Sequence, residues 1–170
     1  MQGLLGLLNQ ELGLHPCLID ALTRILKLSV ESFAAESGSI MLLDEMGDVS
    51  HAALVYDGEI KVLPTDCMRA VVRKGLAGWV IGNRQAALVA NTRADPRWLQ
   101  QAWDVRKKVV RSAVCVPLMY GSRVLGVLTL VQRQPGGFSS SDLALLCSLA
   151  FCVSSTSIRA ALGRDRSAWQ

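Results

Sequence analysis

Apolar residues recur every three or four positions near both ends of the chain, which is the spacing of an amphipathic helix. The first run extends from Leu18 to about Ala35. The second follows Ser139, a residue type that often caps a helix N-terminus, and continues to about Gly163. A shorter leucine stripe precedes the first run. The pattern predicts two terminal helices and an N-terminal helical extension over residues 1–14.

Between these helices, short apolar or alternating runs are separated by turns that contain Gly or Asp, as is typical of strands. The runs predict strands at 39–44, 49–56, 59–63, 86–89, 112–119 and 123–132. Residues 124–131 are apolar on both faces, whereas a strand with one solvated face would alternate with polar residues. The sheet must therefore be covered on both sides.

The segment 64–110 supplies the second cover. It predicts short helices at 67–74, 76–81 and 96–105, the last with Asp95 as its N-cap. The expected architecture is an α/β (α+β) domain in which a central antiparallel sheet lies between the terminal helices and a layer of short helices and loops.

The composition fits one compact domain and excludes several classes of protein. The chain has 170 residues, 51% of them hydrophobic, and no linker-like tract. No run approaches the roughly 18 apolar residues of a membrane span, so we expect no membrane partner. The net charge is only +4, and no nucleic-acid-binding motif accompanies the basic cluster at 106–111. We interpret that cluster as a solvated face or the anion-tolerant rim of a pocket, with a partner surface as the alternative, and expect no nucleic-acid partner.

The five cysteines, at positions 17, 67, 115, 147 and 152, form an odd set without CxxC spacing. Cys115 lies in a strand pattern, and Cys147 and Cys152 lie in the last helix, where small apolar side chains suit a core. We therefore expect reduced thiols in a cytoplasmic protein, with neither a disulfide framework nor a metal site.

Three segments carry a family resemblance: Lys-Gly-Leu-Ala-Gly-Trp-Val-Ile at 74–81, Ala-Asp-Pro-Arg-Trp at 94–98 and Arg-Ser-Ala-Val-Cys-Val-Pro-Leu at 111–118. In order and spacing they resemble the GAF family, a small sensory module. The resemblance implies a single GAF/PAS-like domain over 1–170, with its core at about 18–162. It also implies a regulatory function: binding of an unidentified small organic ligand, dimerisation, and control of an output domain or partner in signal transduction. No enzymatic activity and no cofactor are expected.

The resemblance further implies a ligand pocket between the sheet and the 64–110 layer. The family's ligand-contacting positions map onto Ser39, Tyr56, Asp57, Leu76, Ala77, Trp98 and Leu99. Tyr56 falls where the family stacks an aromatic ring on a base, although a strand aromatic equally suits a core. The hydroxyl-bearing residues expected after the closing helix are replaced by charged residues at 104–111. This departure favours another ligand or none, and a cyclic-nucleotide-binding domain is the alternative.

Cyclic-nucleotide-binding members carry a motif of Asn-Lys, then Phe, three residues and Asp-Glu. Phe138 and Asp142 match that motif, and Arg133 keeps the charge of the lysine, while Gln132 and Leu143 depart from it. In the family the motif braces the fold. The resemblance therefore implies an Arg133–Asp142 ion pair beside the pocket.

An alternative of another class is a GAF-fold methionine-(R)-sulfoxide reductase. Cys67 is its candidate nucleophile, because it lies in a predicted helix near the pocket with Arg69 as an electropositive neighbour. No second loop cysteine, Ser-His-Asp set or phosphate-binding loop accompanies it. A sensor is therefore the expected function.

The last predicted helix carries more apolar surface than one sheet face requires. Leu146, Ala150 and Val153 lie close to a heptad seam, and Phe151 adds apolar surface beside it. We expect this helix and the first one to build a symmetric homodimer, with Leu146 and Val153 in contact with the partner helix.

Overall fold

The computed structural model describes residues 18–100 and 109–167. In these ranges the helices are α1 (Leu18–Ser32), α2 (Thr65–Lys74), α3 (Leu76–Asn83) and α4 (Ser140–Ser167). The strands are β1 (Ser37–Leu43), β2 (Val49–Tyr56), β3 (Glu59–Val62), β4 (Ala87–Val89), β5 (Ser112–Tyr120) and β6 (Arg123–Gln132). The leucine stripe at 4–12 lies outside the described residues.

The six strands form one antiparallel sheet in the order β3-β2-β1-β6-β5-β4. Two meanders, each of three consecutive strands, are joined where β1 pairs with β6. In that central pairing Ile40 lies opposite Leu128, and Met41 lies opposite Val127. The α+β architecture predicted from the sequence is confirmed.

The helices α1 and α4 cover one face of the sheet, which we call the long-helix side. Their side chains pack on the strand residues that face them and form a continuous apolar core. This core includes Leu22, Ile25, Leu26, Ile40, Ala53, Val55, Val116, Leu128, Leu130, Leu146, Leu149 and Val153. The buried hydroxyls of Ser29 and Ser154 donate to helix carbonyls four residues earlier, so they are satisfied within their own helices.

The helices α2 and α3 cover the opposite face, the short-helix side. A second core lies there, formed by Met41, Val49, Ala52, Leu76, Ala77, Val80, Ala87, Val89, Ala113, Cys115 and Val127. The apolar pattern of β6 is thereby explained, because Val127 packs on this side and Leu128 on the other. The sheet is covered on both sides, as predicted.

The apolar seam of α4 is used within the domain itself. Leu146, Ala150 and Val153 are 0%, 2% and 1% exposed and belong to the core of the long-helix side. The predicted contact of Leu146 and Val153 with a partner helix is therefore wrong, because the sheet of the same chain already covers both side chains. Phe151, which points out of the core, is 70% exposed.

The chain after Asp95 does not form the predicted helix in its described part. Pro96 and Arg97 lie in a turn, and residues 99–100 have no regular structure. Asp95 Oδ1 accepts from the Arg97 backbone N–H at 2.9 Å, as an N-cap would, but the Gln100 side chain then donates back to the Thr92 carbonyl at 3.0 Å. The loop thus closes on itself, and residues 101–108 lie outside the described residues.

No helix within the described ranges is long and apolar enough to span a membrane.

Candidate functional site

The short-helix side of the sheet changes from apolar to polar along β1. Met41 is buried under the short helices, and Ser39, two residues earlier on the same strand, faces the same side and is half-buried. Ser39 lies opposite Thr129 on β6, whose hydroxyl donates to Cys115 Sγ at 3.2 Å. Tyr56 lies opposite Ser37, so its ring is on the same side, at the strand end, and 36% exposed. Hydroxyl groups and one aromatic ring are thus brought together beyond the apolar core.

Small residues let α3 approach the sheet closely. Leu76 and Ala77 are each 3% exposed and pack in the core of the short-helix side. A Cβ at Gly78 would collide with the Val72 carbonyl oxygen of α2, so only glycine fits where the two helices meet. The Gly-Leu-Ala-Gly sequence therefore places Leu76 and Ala77 in the core and sets how closely α2 and α3 meet.

The loop 91–98 is fixed onto α3 by Arg97. Its guanidinium lies over the Trp79 ring, 4.8 Å from the centroid, and donates to both carboxylate oxygens of Asp95 at 2.9 and 2.6 Å. Hydrogen bonding by Arg97 outweighs burial and lowers the pKa of Asp95 below its usual value. Trp98 is thereby held half-buried against the same core.

A network of charges lies at the polar end of the sheet. Glu36, just before β1, accepts from Arg111 at 2.8 Å and from Arg133 at 2.9 Å. Its side chain is only 7% exposed. Burial by itself raises the pKa of Glu36, but the hydrogen bonds and charges of the two arginines outweigh burial and lower it. Tyr56 is close enough to Arg133 to contribute to the raised pKa of that arginine, so the network reaches the candidate site.

This network corrects the predicted brace. Arg133 pairs with Glu36, whereas Asp142 accepts from the backbone N–H and hydroxyl of Ser139 at 2.7 and 2.8 Å. Ser139 Oγ in turn accepts from the Asp142 N–H at 3.1 Å, so the two residues form a reciprocal cap at the start of α4. The predicted Arg133–Asp142 pair is wrong because each residue has a nearer partner, and for Asp142 the capping pattern was already present in the sequence. Phe138 is buried in the core of the long-helix side.

The structure brings most of the predicted ligand-binding residues to the short-helix side. Leu76, Ala77 and Trp98 line or adjoin its core, and Ser39 and Tyr56 lie at its polar end. Asp57 is less well placed: it is exposed and occupies the β2–β3 turn with a left-handed backbone conformation, φ 53°. Leu99 is half-buried in the loop. Glu36 and Arg111 were not predicted as members of this site, since their meeting depends on residues 75 positions apart in the chain.

A cavity of about 110 Å³ lies elsewhere, at the β2–β3 edge of the sheet. It is lined by Leu22, Thr23, Ile40, Leu42, Ser50, His51, Ala52, Ala53, Val62, Leu63 and Thr65. None of the predicted ligand-binding residues lines it. The sequence signal that could have found it is the apolar pair Ile60 and Val62 on a very short strand.

The described cysteines 67, 115 and 147 are free thiols with different surroundings. Cys67 is exposed on α2, and Cys115 is buried in the sheet. Burial raises the pKa of the Cys115 thiol to about 12, so this sulfur is protonated at neutral pH and is a poor nucleophile. Among the described residues, no three His, Cys, Asp or Glu side chains are grouped so that they could hold a metal ion.

Solved GAF structures share this fold. The GAF domain of an Acinetobacter phosphoenolpyruvate-protein phosphotransferase is 24% identical with a TM-score of 0.70, and 96% of each chain is covered. The corresponding domain from Coxiella burnetii is 18% identical with a TM-score of 0.73, over 98% of this chain and 96% of that one. Free methionine-R-sulfoxide reductase from Neisseria meningitidis is 16% identical with a TM-score of 0.70, over 92% and 87%.

At these identities the structural neighbours show the fold alone, and they include both signalling domains and an enzyme. No curated protein sequence matches the chain significantly. A sequence model described as the GAF domain matches residues 18–155, which is most of the chain. Together with the sheet order and the two-sided cover, this match shows that the chain belongs to the GAF domain family.

Proposed function

We propose that this GAF domain is a regulatory sensor that binds a small organic molecule and controls an output domain or partner protein. The observation that carries the proposal is the short-helix side of the sheet, where Ser39 and Tyr56 lie at the polar end and Trp98 packs against the apolar core. Hydroxyls and aromatic rings beside an apolar wall are the usual lining of a small-molecule site. The structural neighbours from signalling proteins are consistent with this function.

The ligand is expected to be neither cyclic AMP nor cyclic GMP. The arginines of the adjoining network, Arg111 and Arg133, already share the carboxylate of Glu36, so a cyclic phosphate would have to compete with Glu36 for both of them. Native mass spectrometry of the purified full chain should reveal a co-purified small molecule that is neither nucleotide.

Isothermal titration with both nucleotides tests the same point. Tyr56→Ala is the informative variant, and Tyr120→Ala is its control, because Tyr120 is an exposed tyrosine at the β5–β6 turn. Micromolar binding of a nucleotide that disappears in Tyr56→Ala but survives in Tyr120→Ala would establish the cyclic-nucleotide alternative instead.

The sensor is proposed to work as a homodimer through its terminal helices. Residues 143–158 contain no charged side chain, although Ala144, Cys147, Ser148 and Phe151 of this run are exposed. In a two-fold interface the same patch of each protomer faces the other, so an uncharged patch avoids repulsion between like charges and is suited to self-association. Phe151→Glu should convert a sedimenting dimer to a monomer, and a wild-type protein that sediments as a monomer at high concentration would refute the dimer.

The reductase alternative is tested at Cys67. A reductase needs a reactive thiolate, and the other described cysteine of the short-helix side, Cys115, is a buried thiol. The purified chain should not reduce free methionine-(R)-sulfoxide in the presence of a thiol reductant. Turnover that Cys67→Ser abolishes would identify an enzyme. We also propose a cytoplasmic location, since Cys67, Cys115 and Cys147 are free thiols.

A further inference from the structure

The outer strand β3 has unpaired main-chain groups within the part of the chain that the structure describes. It is the first strand of the sheet order, and among residues 18–100 and 109–167 it pairs only with β2. The Leu63 N–H donates to the Ala52 carbonyl of β2 at 3.0 Å. Main-chain groups of a strand point alternately to either side, so those of Ile60 and Val62 point away from β2. These groups form an open hydrogen-bonding edge.

The same two residues expose apolar side chains. Ile60 is 43% exposed and Val62 is 78% exposed. At the opposite edge of the sheet, by contrast, Ala87 and Val89 of β4 are 3% and 0% exposed. Outer strands of soluble proteins are normally shielded by charge or cover, because an open apolar edge pairs with other chains. Among the described residues, β4 is shielded by cover, whereas β3 has charge on one face only and exposes Ile60 and Val62 on the other.

An apolar cavity adjoins the open edge. Val62 lies opposite Ala53, a core residue of the long-helix side, so Val62 faces that side of the sheet. The 110 Å³ cavity is on the same side, with Val62, Ala53, Leu22 and Leu42 in its lining. Its volume is enough for one medium-sized apolar side chain, because a cavity of about 150 Å³ accepts benzene. A side chain that extends from a strand beside β3 would be close to this cavity.

The other face of β3 carries opposite charges two residues apart. Glu59 lies opposite Tyr56 and Lys61 lies opposite Leu54, so both charged side chains face the short-helix side. A strand paired antiparallel with β3 would therefore meet a carboxylate, an apolar residue, an ammonium group and an apolar residue in turn. Cross-strand neighbours of opposite charge stabilise such pairing, and like charges weaken it.

We propose that β3 is a docking edge for an extended peptide segment of a partner protein, which adds to the sheet as a seventh strand antiparallel to β3. Main-chain hydrogen bonds form with Ile60 and Val62. A leucine-like side chain opposite Val62 enters the cavity, an acidic residue lies opposite Lys61, and a basic residue lies opposite Glu59. The cavity is separate from the candidate ligand site, because it lies on the long-helix side, whereas Glu59 is the neighbour of Tyr56 on the short-helix side.

The probe is the synthetic peptide acetyl-Thr-Leu-Glu-Val-Lys-Thr-amide, titrated to millimolar concentration into the full chain labelled with ¹⁵N. Hydrogen exchange should slow at the Ile60 and Val62 amides, whereas the Lys61 amide, already bonded within the sheet, should change little. A peptide with Glu and Lys exchanged places like charges opposite Lys61 and Glu59, and it should bind at least about threefold more weakly.

Val62→Lys should weaken binding of the first peptide at least about tenfold and leave thermal unfolding unchanged, because Val62 is mostly exposed. Tyr120→Lys is the matched control, since it adds the same charge at another exposed residue, at the β5–β6 turn, and should leave peptide binding intact. Equal binding of both peptides, or binding that survives Val62→Lys, would overturn the proposal. Protection of Ile60 and Val62 that grows with protein concentration alone would also overturn it, in favour of a second copy of the chain.

Discussion

The two faces of the sheet are built from different kinds of residue. On the long-helix side, large side chains such as Ile25, Leu26 and Leu149 are 0% exposed and fill the space between helix and strand. On the short-helix side, alanine and valine predominate, and Gly78 lets two helices meet. Large side chains therefore fill the core of the long-helix side. On the short-helix side small residues allow close packing, and polar groups lie at the end of the apolar core. This difference suits a scaffold on one side and a binding site on the other.

The largest effect is expected on the long-helix side. Leu146→Ala should lower the free energy of unfolding by about 2–5 kcal/mol, because it leaves a cavity beneath α4. Met46→Ala, at a residue that is 87% exposed, should change it by less than about 0.5 kcal/mol. Chemical denaturation followed by circular dichroism measures both. A Leu146→Ala variant as stable as Met46→Ala would contradict the assignment of α4 to the core.

A smaller but more selective effect is expected on the short-helix side. Gly78→Ala should destabilise the domain by about 1–3 kcal/mol, since the new Cβ collides with the Val72 carbonyl. Gly82→Ala in the same helix has open space around it and should stabilise by about 0.5–1 kcal/mol, through helix propensity. Thermal unfolding of both variants checks the prediction. If their melting temperatures shift in the same direction, the close contact between Gly78 and the Val72 carbonyl is not the constraint.

Glu36 is expected to make the stability of the domain depend on acid pH. Its folded-state pKa is lowered from 4.5, so its contribution is present above about pH 4.5 and is lost as the pH falls through the lowered value. Glu36→Gln should cost about 1–2 kcal/mol at pH 7 and less at acid pH. Urea unfolding of both proteins from pH 3 to pH 7 measures this. Parallel pH profiles would mean that Glu36 contributes nothing through its charge.

The smallest effect is expected at the cap of α4. Asp142→Ala should destabilise by about 0.5–1 kcal/mol, because it removes one half of the reciprocal cap with Ser139. Its effect should add to that of Arg133→Ala, whereas Arg133→Ala and Glu36→Gln should not add, since those two residues are in contact. Double-mutant cycles by urea unfolding distinguish the two pairings. A coupling energy between Arg133 and Asp142 would support the ion pair that was predicted from the sequence.

Much of the fold could be predicted because it depends on local pattern. The bounds of β2 and β6 and the burial of β6 on both faces follow from runs of apolar residues between turns. The surface that the apolar face of α4 packs against could not be predicted in this way, because Leu146 and Val153 fit a partner helix and a sheet equally well. Only the packed structure shows that the sheet covers them.

The candidate site was predictable in outline and not in its electrostatics. Leu76, Ala77 and Trp98 reach the expected side because their segments are short and apolar. The partner of Arg133 is Glu36, which lies just before β1. The Glu36 N–H donates to the Val131 carbonyl of β6, and this hydrogen bond holds Glu36 near Arg133. A contact between residues 97 positions apart leaves no mark in the spacing of a motif.

The strand order also determines how far the chain must search while it folds. Each meander joins strands that are neighbours in sequence, and the connections are short turns except between β4 and β5, which residues 90–111 separate. The β1–β6 pairing is different, because it brings Ser39 opposite Thr129 and so closes a loop of about 90 residues. Closing a longer loop has a larger entropic cost. Refolding should therefore be limited by the meeting of two preformed halves. Pulsed hydrogen exchange should show the amides between β1 and β6 gaining protection last, and simultaneous protection of all strands would exclude this order.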